Sequence, residues 1–475
     1  MIITKSDFIR FLHCPESFWL LKHKPEMYPH GAISNYERKI AAEGDEVEKY
    51  AEIHLCSGED ADAYSYQTVF RSQRGLYARA DIVRTNQDGS INIYEVKSST
   101  KVKTGGKHDQ LRDVTFQRIV AEDQGYRVSK TFIVHLNGDY VRSGVINPEE
   151  LLRFADVTHQ VSEFLGETRE QVENALALVA QTEISEQGCS CRYVSKANRC
   201  DAFAYFNQNI PTPSIYDLPR ISSKKIKEFV DTERLSLSQV SDNEVTAKQL
   251  PVLTAAKTGT PYFDNDEIAR FYSAAQYPLY FLDYEAYSSA IPVVDGARPQ
   301  APIPFQYSLH IKRTPDKTDI EHVEYLSDKA VMPRKMAEHM RRHIGDTGSI
   351  ISWHASYENT QNNAMAELYP DMADFLLGLV KRTLDLEQVF FAGYVDIAFQ
   401  GSTSIKKVLP VLAPDLSYDG MKVANGADAM EAWARLIAMR DSPERQSLRT
   451  AMLKYCELDT WAMVRIFDCL NPGEG

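Results

Sequence analysis

Two acidic patterns and one group of cysteines in this chain combine residue types and spacings that can do chemistry. In LYARADIVRT and INIYEVKSS, two strand-like runs flank NQDGS, and Asp88-Gly89 is a strong hairpin signal. Glu95 and Lys97 stand two apart, so they project from one strand face. A hairpin centred near Asp88 sets Asp81 opposite Glu95, where facing Cβ atoms lie about 4.5–5.5 Å apart. A slip of one residue would turn Asp81 to the other face. Two carboxylates and an ammonium meeting there suit Mg²⁺ or Mn²⁺, which take hard oxygen ligands. Such an ion acidifies a bound water and polarises a phosphoryl oxygen, and a lysine steadies developing charge. An exposed hairpin with ordinary surface charges is the alternative for the bare pattern.

The second pattern lies in YFLDYEAY, where Asp283 and Glu285 are again two apart. Apolar neighbours on both sides predict a buried central strand. Two carboxylates there repel each other and lose hydration unless a cation holds them. A solvated strand end is the alternative. Downstream, SWHASYENT puts Glu358 just after a strand. In YCELDTWAM, Tyr455 and Asp459 are four apart on one helix face. Asp385 in RTLDLEQVF is read as a structural group or a supporting carboxylate. GSTSIKKVLPVL reads as a helix start with a Ser/Thr cap, where Lys406 and Lys407 could meet a phosphate. A plain capped helix is the equal alternative.

Seven cysteines occur without a recognisable export signal, so a disulfide framework is not expected. Three of them, Cys189, Cys191 and Cys200, crowd into GCSCRYVSKANRC. Cys56, Cys456 and Cys469 fall in apolar helical patterns and read as core thiols.

Elements must position these groups. Residues 1–165 alternate helical and strand patterns, and a helix is expected over 166–187. Prolines at 211, 213, 219, 251 and 261 mark a polar boundary segment. The block 276–470 reads as three strands, a helix, a strand and further helices, a mixed sheet packed by helices. The expected fold class is α/β in three parts: 1–206, a helical linker 207–275, and 276–475. The chain's 475 residues suit two or three domains. No run approaches the ~20 apolar residues of a membrane helix, and the start lacks the order of a signal peptide, so a cytoplasmic protein with no membrane partner is expected. The net charge of −13 counts mildly against nucleic acid. Local basic groups exist at Lys97/Lys101/Lys103/Lys107, Lys224/Lys225/Lys227, Arg334/Lys335/Arg341/Arg342 and Lys406/Lys407, each more often a solvated face.

Asp81, Glu95 and Lys97 resemble the D…E-x-K core of RecB-like nucleases in the PD-(D/E)XK superfamily. EGDEVEKYA resembles that family's first helix, which implies a metal-binding role for Glu48 where many relatives carry His. DVTFQRIVAE resembles its later helix, which implies a functional Gln117, with Asp113 one turn earlier. FLHCPESFWLL and C-x-C-x8-C resemble the iron–sulfur members, of the AddB and CRISPR-associated types. That resemblance implies a [4Fe-4S] cluster on Cys14, Cys189, Cys191 and Cys200. The spacing departs from C-x2-C-x5-C, and Phe206 stands where a last cysteine is usual. Zn²⁺ or free thiols are the alternatives.

The second half resembles the DEDD exonucleases, of DnaQ-like, ribonuclease-H-like fold. Asp283 and Glu285 match the first motif. His354, Tyr357 and Glu358 fill the second, with Glu in place of Asp. Tyr455 and Asp459 match the third motif of the tyrosine subgroup. The resemblance implies two metal ions on Asp283, Glu285, Glu358 and Asp459, with Tyr455 orienting water. The layout as a whole resembles bacterial proteins in which a RecB-like nuclease precedes a ribonuclease-H-like domain; SIYDLPRISSKKIKEF, LDYEAY, GSTSIKKVLP and YCELDTWAM carry this. LPRISSKKIKEFVDTERLSLSQV resembles helix-hairpin-helix DNA binders without their Gly-x-Gly. The implied activity is metal-dependent hydrolysis of DNA, single-stranded or with free ends, in end processing, repair or phage and CRISPR-related defence. An RNA 3′–5′ exonuclease, or a nucleic-acid-binding scaffold with inactive sites, are the alternatives.

Overall fold

The computed structural model describes residues 1–31, 33–56, 58, 60–105, 109–315 and 320–470. Lys107 and the side chain of Cys56 lie outside that set. Two compact units form, one from Met1–Asn209 with Ser289–Ala301, the other from Ile210–Ser288 with Pro302–Gly475. Both are mixed α/β. Among the described residues no helix is long and apolar enough to cross a membrane.

The first unit carries β1 (Ile3–Thr4), β2 (Tyr64–Arg71), β3 (Leu76–Thr85), β4 (Ile91–Lys97), β5 (Val128–Leu136) and β6 (Leu152–Asp156). The sheet order is β1-β3-β4-β5-β6, with β2 also on β3. The turn between β3 and β4 centres on Asp88, since Thr85 pairs with Ile91. Gly89 takes φ +76°, a conformation that costs glycine little. β2 fills one edge of β3; β1 and β4 share the other, pairing with its first and last residues respectively. The ends of β1 and β4 therefore approach each other along that edge. Helix Gln110–Asp123 links β4 to its parallel neighbour β5, the connection a parallel pair requires.

Alternate residues of β4 feed two cores. Ile91 and Ile93 pack with Phe8, Phe116 and Val172 from three helices. Tyr94 and Val96 pack with Val47 and Ala51 of helix Asn35–Cys56. The helix expected over 166–187 runs Thr158–Val179. Its apolar Val161, Val172, Ala175 and Val179 continue one stripe, so it starts earlier and ends before the polar QTE run.

The second unit holds β7 (Tyr262–Phe263), β8 (Leu279–Tyr287), β9 (Ile303–Lys312), β10 (Ile320–Leu326), β11 (Ser349–Ser352), β12 (Thr383–Asp385) and β13 (Tyr394–Val395). Its main sheet runs β10-β9-β8-β11-β12, antiparallel as far as β8 and parallel beyond. β8 is central, as its unbroken apolar character predicts. Leu279 and Phe281 join the core under helix Pro443–Leu470, while Tyr280, Leu282 and Tyr284 join the opposite core with Met336 and Met365. Helices thus cover both faces. Residues 210–275, expected as a linker, belong to this unit and bury Ile215, Ile226, Phe229 and Leu253 together. The stretch likened to a helix-hairpin-helix holds one α-helix, Ser223–Asp231, followed by a three-residue 3-10 turn at Leu237–Gln239, so no paired helices form there.

Candidate metal centres

In the first unit the hairpin register carries Asp81 to the position facing Glu95, one step beyond the Ile82–Tyr94 pair. Glu95 is 1% exposed. Its Oε1 accepts from Lys97 Nζ at 2.8 Å and from Lys5 Nζ, and its Oε2 accepts from Gln117 Nε2. Lys97 also donates to Asp113 Oδ2 at 2.8 Å. Asp81 Oδ2 accepts from the Val96 backbone N–H at 2.8 Å. Burial pushes the Glu95 carboxyl up, but Lys97 and Lys5 overrule it and hold it well below the ordinary range. Asp81 goes the other way: burial and the Glu95 charge raise it well above a normal aspartate. Glu48 on helix Asn35–Cys56 is raised by burial and by the charges of Asp45 and Glu95, and it accepts from Gln67 Nε2 at 2.6 Å. Gln117 Oε1 is buried without a hydrogen-bond partner.

Lys5 has no counterpart in the sequence reading. It sits directly after β1, and only the shared edge of β3 brings it to Glu95. A two-residue strand at a chain start gives too little pattern to reveal this.

In the second unit Asp283, Glu285 and Asp459 place carboxylate oxygens within 4.8 Å of one another. Asp283 and Glu285 leave β8 on the face that helix Pro443–Leu470 covers, and the helix supplies Asp459. Burial, then the charge of Asp459, lifts Glu285 to about 8 and Asp283 well above its ordinary value. Burial lifts Asp459 to about 6 even though Tyr418 donates to it at 2.6 Å. Tyr455 also draws Glu285 and Asp459 down. Glu358, in the first turn of helix Ser356–Leu368, is 3% exposed. Burial lifts it to about 8, and its Oε2 is buried without a hydrogen-bond partner. Glu358 adds to the charge felt by Asp283 and Glu285 but is not within the 4.8 Å group.

Lys406 lies over the rings of Tyr418 and Tyr455 at 5.2 and 5.6 Å and draws Glu285 and Asp459 down. Tyr357 is raised by burial and by the charges of Glu285, Glu358 and Asp283. Asp385 is a structural cap: it accepts from His354 N, Glu387 N and Gln388 Nε2. His354 holds φ +60° and bonds Glu387 at 2.9 Å.

Two expectations are corrected here. Ser404 stands at the start of helix Ile405–Leu412 but makes no side-chain cap; its N–H is taken by Ser402 Oγ at 3.2 Å. Cys469 is exposed, in the last turn of its helix, where the apolar stripe has run out. Cys456 is a buried core thiol, as expected, and its Sγ also meets Asp283 Oδ2 at 3.7 Å. Of the basic groups, Arg334 is held by Glu338 and Asp371, and Lys225 by Glu228. Lys101, Lys103, Lys335, Arg341 and Arg342 are exposed.

The four cysteines of the first unit converge. Sulfurs of Cys14, Cys191 and Cys200 lie within 4.8 Å of one another, and Cys189 is 4.0 Å from Cys200. All four are buried and none is in a disulfide. Their mutual influence raises the Cys14 thiol and lowers that of Cys189. Asn207 Nδ2 donates to Cys189 Sγ at 3.3 Å. One tetrahedral ion with metal–sulfur bonds of about 2.3 Å sets its thiolates roughly 3.8 Å apart. A four-iron cluster gives each thiolate its own iron corner and spreads the sulfurs to roughly 6 Å. The four sulfurs are a candidate ligand set for either group.

The profile of a domain of unknown function, DUF2779, matches residues 280–404. That stretch includes Asp283, Glu285, Glu358 and Asp385 and stops short of Asp459. An uncharacterized MG366 homolog of Mycoplasma pneumoniae is 25% identical over 205 residues, covering 39% of this chain and 31% of that protein. The chain thus spans under a third of the length of this relative.

Proposed function

We propose that this chain is a metal-dependent nuclease, with Asp283, Glu285, Asp459 and Glu358 as its principal ion-holding group. One observation carries the reading: three carboxylates lie within 4.8 Å of one another, two of them at 8% exposure, with Lys406 as the cation that draws Glu285 and Asp459 down. Full ionisation of such a group is costly unless a cation compensates it. Mg²⁺ or Mn²⁺ held there would acidify a water and stabilise both the attacking and the leaving oxygen of a phosphodiester. The unpartnered Glu358 Oε2 is a free hard ligand for such an ion.

The other side chains have definable tasks. Tyr455, beside Glu285 and Asp459, would orient a nucleophilic water. Lys406 offers a positive charge to a phosphate beside the carboxylates. A mixed sheet with its first strand central and bearing Asp-x-Glu supports a ribonuclease-H-like reading of the second unit. In the first unit, Asp81, Glu95 and Lys97 on adjacent strands, with Gln117 and Glu48 beside them, support a PD-(D/E)XK reading. Glu95 is already engaged by two lysines, which favours the second unit as the main source of activity. DNA with free single-stranded ends is the proposed substrate. The four-cysteine site is proposed to hold one structural ion, Zn²⁺ by its thiolate set, joining the chain start to Cys200. Metal analysis of aerobically and anaerobically purified protein tests this: at least one zinc per chain is expected. Iron with absorbance near 400 nm would replace Zn²⁺ by a cluster.

The test of activity is Mn²⁺-dependent digestion of 5′- and 3′-labelled single-stranded DNA, with RNA alongside. Wild type, Lys97→Ala and Asp283→Ala are compared. Loss in Asp283→Ala assigns cleavage to the second unit. Undiminished cleavage in both variants would sink the proposal, because a contaminant would then explain the activity. Preference for RNA would keep the chemistry and change the polymer.

A further inference from the structure

A second cluster of ligating side chains lies elsewhere in the second unit. His310 on β9 and His322 on β10 are direct cross-strand partners. Their rings stack at 4.5 Å with 24° between planes. Glu457, on helix Pro443–Leu470, completes a set whose ligand atoms all lie within 4.8 Å of one another. His310 is 5% exposed.

Hydrogen bonds already orient both imidazoles. His310 Nδ1 bonds Thr460 Oγ1 at 2.8 Å, and His322 Nε2 bonds Ser308 Oγ at 3.0 Å. Fixing one nitrogen of each ring is how a protein aims the other at a metal. His322 Nδ1 stands 3.8 Å from Glu457 Oε1, beyond hydrogen-bond range. Two ligand bonds of about 2.1 Å to a shared ion separate their donor atoms by roughly 3–4 Å. His310 and Glu457 also line an open cavity of about 570 Å³ with Lys454 and Trp461, so water or an added ligand can complete a coordination shell.

We infer that His310, His322 and Glu457 bind one late first-row divalent ion, of the Zn²⁺, Co²⁺ or Ni²⁺ class. Two imidazoles and one carboxylate prefer these ions to Mg²⁺, which demands oxygen. The same helix carries Tyr455, Glu457 and Asp459, two residues apart in turn. Because successive odd positions on a helix point in different directions, Glu457 faces its own site while Asp459 faces Asp283. A cation on Glu457 therefore ties strands β9 and β10 to the helix that supplies Asp459. This inference stands apart from the nuclease reading, because it is read out by binding rather than cleavage.

The experiment uses the full chain with its thiolate site filled and Mg²⁺ in excess. Ni²⁺ is titrated with two readouts, equilibrium dialysis and tryptophan emission. The Trp461 ring lies 5.3 Å from that of His310, close enough for a paramagnetic ion to quench it. One Ni²⁺ per chain is expected to bind and quench. His322→Ala and Glu457→Gln should each weaken binding at least ten-fold. Trp461→Phe should keep the bound Ni²⁺ and lose the quench. No saturable Ni²⁺ on wild type, unchanged affinity in both ligand variants, or quenching that survives Trp461→Phe would each overturn the assignment.

Discussion

The two carboxylate groups of this molecule balance their charge in opposite ways. In the first unit Glu95 is met by Lys5, Lys97 and Gln117, and its carboxyl is held well below the ordinary range. In the second, Asp283, Glu285 and Asp459 face one another with Tyr418, Tyr455 and Lys406 nearby, and all three are pushed up. Similar letters, E-x-K and D-x-E on a strand, thus yield one glutamate held down by two ammoniums and a second group whose carboxyls are all pushed up. What decides is the cations that neighbouring elements deliver, and the strand motif does not contain them.

The largest consequence concerns cleavage. Asp283→Asn removes a carboxylate from the group proposed to hold a cation. It is expected to lower Mn²⁺-dependent degradation on the order of a hundred-fold or more, the rate equivalent of several kcal/mol of lost metal assistance. Lys97→Ala is expected to cost about ten-fold or less, because Lys5 remains on Glu95. Initial rates on end-labelled single-stranded DNA measure both. The reverse ranking would place the active group in the first unit and break the comparison.

The next effect is on stability and pH. Glu285 and Glu358 near 8 and Asp459 near 6 lie above their unfolded values. A raised carboxyl contributes stability that is fully present below its unfolded pKa and is lost as pH rises through its folded pKa. Metal-free protein is therefore expected to weaken between about pH 5 and pH 8, at about 1.4 kcal/mol for each displaced unit before mutual compensation. Mn²⁺ should restore more at pH 8 than at pH 6, since it binds the ionised form. Glu95 has the opposite sign: its depressed carboxyl contributes above the unfolded value and fails only in acid. Heat unfolding in EDTA and in Mn²⁺ across this range separates the two behaviours. A metal-free stability that rises steadily to pH 8 would contradict the upward shifts.

How far the sequence carried these sites depended on how local their determinants are. The hairpin register followed from Asp88-Gly89, because a short turn fixes which residues face each other. The central position of β8 followed from its apolar run. The five-stranded order of the second sheet could be expected only as a mixed sheet, since pairing partners are set by contacts far apart in sequence. Cys14 could be joined to Cys189, Cys191 and Cys200 only through resemblance, because about 175 residues intervene and spacing says nothing over such a distance. Lys5, Tyr418 and the His310–His322 pair escaped for the same reason. Each acquires meaning from a neighbour on another element, and none stands in a pattern of its own. Lys406 was noticed as a helix-start lysine, but its place over Tyr418 and Tyr455 comes from packing.

The smallest test converts one site toward the other. Lys5→Met keeps most of the side chain's length and apolar contact while removing one of the two ammoniums on Glu95. Lys97 and Gln117 still satisfy both carboxylate oxygens, so the stability cost should be about 1 kcal/mol, that of one hydrogen bond among several. The Glu95 carboxyl then moves back toward its ordinary range, and acid unfolding of the first unit begins at a higher pH. With less positive charge beside Asp81 and Glu95, this unit should also bind Mn²⁺ a few-fold more tightly. Calorimetry of Asp283→Asn,Lys5→Met against Asp283→Asn isolates that gain from the second unit. Weaker Mn²⁺ binding in the double variant would mean that Lys5 helps build the ion site rather than standing in for the ion.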